Sequence, residues 1–161
     1  MTEERRQAPT TLFKAAGSGR MVALGGFGVP AVVMCVTQQT SAGAAPLAAA
    51  VREKYPDISR VVMVTVVDVS SVPRLFRKVA EGTLGGRYNE TAKGLESGRD
   101  PADWVFILPD WEGTAAPGLG LGDPGKAMGV AVLDAAGRVA GTHEGEDGAA
   151  EPVLALLAAL A

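Results

Sequence analysis

Thiols are nearly absent from this 161-residue chain: Cys35 is its single cysteine, and His143 its single histidine. One cysteine excludes an intramolecular disulfide, a Cys-x-x-Cys pair and a thiolate zinc site, which all need at least two sulfurs. Strong charge of either sign is also missing. Fifteen basic residues against eighteen acidic ones give a net charge of −3, so no nucleic-acid partner is expected, since such binding rests on clustered cations opposite phosphates. The one basic cluster, Arg74, Arg77 and Lys78, reads as the solvated face of a helix. Long apolar runs are lacking too. Residues 21–36 are broken by Gly25, Gly26, Gly28 and Pro30 and are too short for a transmembrane span. The polar first twenty residues show no apolar core followed by a cleavage site. A cytoplasmic location is the default expectation, although a chain trimmed of a leader would read the same way.

What is present fits one globular domain. The composition is 47% hydrophobic and 20% charged, and the length suffices for a sizeable core. Residues 1–20 read as a loose arm anchored only by Leu12 and Phe13. Residues 25–30 (GGFGVP) read as a turn, and residues 31–36 as a short strand buried on both faces. A helix follows over 41–55, with Leu47, Val51 and Tyr55 at four-residue spacing and Thr40 or Ser41 as its N-cap. Residues 60–68 (RVVMVTVVD) form the clearest strand, apolar enough for the centre of a parallel sheet. A second helix is predicted from Ser70 or Ser71 to about Ala80, with Pro73 in its first turn. Residues 81–103 read as an inserted loop or a partly helical excursion.

Further strands are expected at 104–108, stopped by Pro109 and Asp110, and in a hairpin of 128–133 with 138–141. Gly137 supplies that hairpin's positive φ. Residues 149–160 form a closing helix, with Val153, Leu154, Leu157 and Leu160 on one stripe. The order β-α-β-α-β-β-β-α implies an α/β domain with a mixed sheet: a parallel start, an antiparallel hairpin and a final helix.

Three local patterns resemble the redoxin branch of the thioredoxin-like superfamily. Pro46 lies eight residues beyond Gln38, the family's interval from its first active-site cysteine to its helix proline. Residues 132–139 (VLDAAGRV) resemble its Asp-x-x-Gly-Arg-Val hairpin. Residues 108–113 (LPDWEG) and 118–121 (GLGL) resemble the connection leading into that hairpin. The resemblance implies a thioredoxin-like domain over residues 21–161, with 81–103 inserted. It places Gln38 and Ser41 where the two cysteines stand and Met128 at the cis-proline position. Pro124 falls four residues too early. An amide and an alcohol cannot form a mixed disulfide, so dithiol chemistry is not expected.

The functional expectation is therefore a redox-inactive binding module. Its recognition surface comprises Thr37, Gln38, Gln39, Thr40, Ser41 and Met128, and it holds a protein segment or small molecule without a cofactor. A helix N-terminus after a parallel strand offers free N–H groups for such a ligand. One alternative is a single-cysteine peroxidase or thiol oxidoreductase using Cys35, which otherwise reads as a small core residue. Another is a structural subunit of a larger assembly, docking through residues 153–160, 1–20 or 81–103. His143, beside Glu144, Glu146 and Asp147, reads as an exposed polar loop rather than a metal site. Trp111, flanked by Asp110 and Glu112, is a half-exposed partner anchor or a core residue. Trp104 and Phe106 share one face of their strand by its two-residue period. Among the acids, Asp68 is a conceivable general base.

Overall fold

A continuous apolar run forces a strand to be covered on both faces, and AVVMCV does so as β3 (Ala31–Val36), with every residue buried. The computed structural model describes residues 6–94, 100–145 and 149–160. Before β3 come β1 (Leu12–Lys14) and β2 (Met21–Ala23). After it follow α1 (Ala44–Lys54), β4 (Val62–Asp68), α2 (Arg77–Lys93), α3 (Pro101–Trp104) and β5 (Phe106–Asp110). The chain ends with α4 (Ala115–Gly118), β6 (Gly129–Leu133), β7 (Val139–Glu144) and α5 (Ala150–Leu160). The main sheet has the order β5-β4-β3-β6-β7. β3 and β5 pair parallel with β4, whereas β6 pairs antiparallel with β3 and β7.

Alternation along β3 divides the core in two. Val32, Met34 and Val36 face α1, α2 and α5, where Leu47, Val51, Leu84, Val153 and Leu157 close over them. Val33 and Cys35 face the opposite layer, built from Phe13, Val22, Leu24, Ala115 and Leu119.

Three sequence expectations are corrected and one is narrowed. Residues 6–20 are not a loose arm, residues 1–5 lying outside the described ones: Leu12–Lys14 pairs antiparallel with Met21–Ala23. Val139 N–H donates to the Arg6 carbonyl and Ala8 N–H to that of Gly137, while Phe13 is buried and Leu12 exposed. Of the two forms expected for residues 81–103, the helical one is found, because α2 runs to Lys93 and α3 begins at Pro101; residues 95–99 lie outside the described ones. Gly82, Gly85 and Gly86 lower helix propensity and masked this helix, which is held by Leu84 and Tyr88 at i,i+4. The Tyr88 ring sits where a Cβ on Gly17 would be, 2.1 Å from its nearest atom, and Gly17 has φ +80.

Trp104 ends α3 and does not share a strand with Phe106. Finally, Pro109 and Asp110 extend β5 instead of stopping it. β5 is an edge strand, where proline's missing N–H costs no ladder bond. The hairpin turn forms as expected, with Gly137 at φ +82.

Candidate functional site

The carboxyl ends of β3 and β4 are the natural mouth of an α/β sheet, and the chain leaves β3 through the Thr37, Gln38, Gln39, Thr40 turn. Thr37 N–H donates to the Thr40 hydroxyl at 2.9 Å, and that hydroxyl donates to the Pro124 carbonyl at 2.7 Å. Thr40 therefore latches the turn to residues 123–125. It makes no side-chain cap, and Ser41 caps nothing either: a 3-10 turn over Ser41–Gly43 leads into α1, whose N-cap is Gly43. The Ser41 hydroxyl donates back to the Gln38 carbonyl at 3.1 Å.

Gln38 and Gln39 are exposed. With Thr37 they line a cleft of about 660 Å³ whose other walls include Asp68, Ser70, Phe76, Val79 and Asp123. The six residues expected to form one surface are thus divided. Thr37, Gln38 and Gln39 share the cleft, whereas Ser41 borders a different one between α1 and α2. Met128 is only 1% exposed and packs in the core beneath α1 and α5. It directly precedes β6 and joins Val130 and Val132 in the core, so it does not line the cleft. The cis-proline position has no counterpart: no peptide bond among the described residues is cis, although Pro124 does oppose the turn.

Sequence reasoning missed Phe76, Val79 and Asp123. A readable signal existed for the first two. Leu75, Phe76 and Val79 fall off the Leu84/Tyr88 stripe and stand exposed. Arg77 stacks over the Trp111 ring at 4.8 Å, so Trp111 is half-buried under a cation.

Two acids stand in register at the ends of β4 and β5, Asp68 opposite Asp110. Asp68 accepts from the Ser70 N–H at 2.9 Å and the Ser70 hydroxyl at 2.6 Å. Asp110, 3% exposed, accepts from the N–H groups of Gly113 at 3.0 Å and Ala115 at 2.9 Å. Its carboxylate ties the end of β5 to α4. Asp110→Ala leaves one buried and one part-buried donor unpaired and is expected to cost about 3 kcal/mol, read as a lowered midpoint in urea unfolding.

Cys35 is 2% exposed and faces the β1–β2 layer. Burial pushes its thiol up to about 12, and the Asp110 and Asp68 carboxylates push in the same direction. A thiolate needs the opposite surroundings. The His143 imidazole lies on β7, half-buried, with Nε2 enclosed and without a hydrogen-bond partner among the described residues. It is not the exposed loop residue expected. Among the described residues, no cluster of three or more His, Cys, Asp or Glu could hold a metal ion; Glu146 and Asp147 lie outside them. No helix among the described residues is long and apolar enough to cross a membrane.

No family model matches the sequence, and no curated protein matches it. Solved structures do. The exposed lipoprotein thioredoxin Etrx1 of Streptococcus pneumoniae is 20% identical, with 93% of this chain and 98% of that one covered at a TM-score of 0.59. Peroxidoxin BcpB of Mycobacterium tuberculosis is 17% identical over 98% of this chain and 97% of its own, with a TM-score of 0.63. StoA of Bacillus subtilis is 18% identical over 86% and 90%, with a TM-score of 0.54. Identities this low carry the fold and not the chemistry. The chain has a thioredoxin-like fold in which the strand-to-helix turn carries Gln38 and Ser41 and no cysteine.

Proposed function

We propose that the protein is a redox-inactive binding module that holds a protein segment or small molecule in the cleft beside residues 37–41. The observation carrying this reading is the cleft itself, about 660 Å³ at the sheet's carboxyl end. Ligand sites are concave, largely apolar and furnished with a few convergent polar groups. Here Phe76 and Val79 supply the apolar wall, and the Gln38 and Gln39 amides supply neutral donors and acceptors. A latched turn supports a preformed site, which lowers the ordering cost of binding.

Gln38 and Gln39 are exposed, so replacing both by alanine is expected to leave folding stability within about 0.5 kcal/mol. The same change is expected to weaken capture of a ligand selected from a random peptide pool by tenfold or more. Unaltered capture by the double variant would remove the site assignment.

A second reading, a subunit of a larger assembly, is favoured by the exposure of Leu75, Phe76 and Val79 on neighbouring turns. Exposed apolar groups of this kind mark interaction surfaces. Sedimentation of the isolated chain as a monomer, with no partner bound through these residues, would speak against it.

A further inference from the structure

A strand flanked on both edges should have both faces covered, yet β4 does not. β3 and β5 flank it, but Met63 and Thr65, which share one face, are only half-buried. The reason is the size of the side chains above them. Helix α1 presents Ala44 and Ala48 there, and α2 presents Gly86; the gap between the helices is a cleft of about 840 Å³. That volume lies within the range of small-molecule sites. A Cβ placed on Gly86 meets no atom within 4 Å, so no packing contact demands that glycine.

The charged groups bordering the cleft are Arg52, Arg87 and Glu90. The Arg52 guanidinium is committed, donating to the Val61 carbonyl at 2.8 Å and to that of Tyr55 at 3.3 Å. Glu90 is neutralised by Lys93, 3.0 Å away. Arg87 has no carboxylate partner among the described residues and borders this cleft and the 660 Å³ one alike. An apolar trough with one uncompensated guanidinium at its edge matches an apolar chain ending in an anion.

We propose that the cleft between α1 and α2 binds an unbranched alkyl carboxylate, a free fatty acid, with its chain along Met63 and Thr65 and its carboxylate on Arg87. This site is distinct from the turn at residues 37–41. A second copy or a partner's helix could fill an apolar trough equally well, but neither accounts for the single unpaired cation as directly.

The probe is laurate, with dodecanol as its uncharged counterpart. In a Trp111→Phe background Trp104, which lines the cleft, is the one remaining indole, and a brominated fatty acid reports contact with it by quenching. Saturable quenching and one-to-one laurate binding are expected. Gly86→Leu fills the cleft from its open side and is expected to weaken laurate and dodecanol alike by tenfold or more. Arg87→Gln is expected to weaken laurate about tenfold and leave dodecanol unchanged. Gln39→Ala should bind laurate normally, so failure of the turn site would not be mistaken for failure here. Absent quenching would overturn the proposal, as would Gly86→Leu binding laurate like the parent. A dimeric parent that Gly86→Leu renders monomeric would assign the trough to a second copy instead.

Discussion

Iodoacetamide is expected to alkylate Cys35 in the native protein about a thousandfold more slowly than in the unfolded chain. The thiol is moved from 9.0 to about 12, three decades in thiolate fraction at any pH below both values. Only the thiolate reacts, and the closed layer of Phe13, Leu24 and Leu119 adds a steric barrier. Modification should therefore follow transient opening, and its rate should rise with urea well below the unfolding midpoint. Peroxide should leave the native thiol unmodified on the same time scale.

The same shift fixes a pH dependence. Between about 9 and 12 the folded chain keeps a proton that the unfolded chain has lost, so stability falls as pH rises across that window. The slope approaches about 1.4 kcal/mol per pH unit and vanishes below 9, where both states are protonated. Cys35→Ala should remove this component of the alkaline decline; denaturation of the two proteins at pH 8 and pH 10.5 measures it.

Gly137→Ala is expected to cost about 3 kcal/mol and to lower the melting temperature by about 10 °C. Two independent obstacles meet at this residue. Its φ of +82 is a conformation that L side chains rarely adopt, and a Cβ there would lie 2.6 Å from both Cα and O of Gly25. Because both atoms are backbone, no rotamer change relieves the clash. Gly137 also accepts from Ala8 N–H at 2.9 Å and from the Gln7 side chain at 3.1 Å. Displacing it loosens the N-terminal segment together with the hairpin. Calorimetry of the single variant checks this, and an unchanged melting temperature would contradict it.

Elements with a strong local signal were legible in the sequence. The all-apolar β3 and the Val-rich β4 follow from burial, and the turn at Gly137 from its DAAG chemistry. The start of α2 was legible but its run from Glu81 to Lys93 was not, since three glycines hide a helix that two side chains, Leu84 and Tyr88, suffice to hold. The pairing of residues 12–14 with Met21–Ala23 and the bridge of Gln7 to Arg138 were missed, because three-residue strands and a single distant bridge leave little local signal. For the site, the turn at 37–41 could be located from the strand and helix on either side. Which of its side chains face one cleft could not, because Thr40 is consumed by Pro124 and Met128 by the core. Arg87 belongs to the later part of α2, which was not legible, so its place beside either cleft was out of reach, whereas Phe76 and Val79 lie in the stretch already expected to be helical.

The most direct test of the account is an amide chemical-shift titration with peptides selected from a random pool, run in parallel on the native chain and on Cys35→Ala. The account predicts shifts concentrated at residues 37–41 and 76–79, identical in both proteins. Shifts elsewhere, or ligand binding that disappears with the Cys35 thiol, would contradict a binding module that works without sulfur.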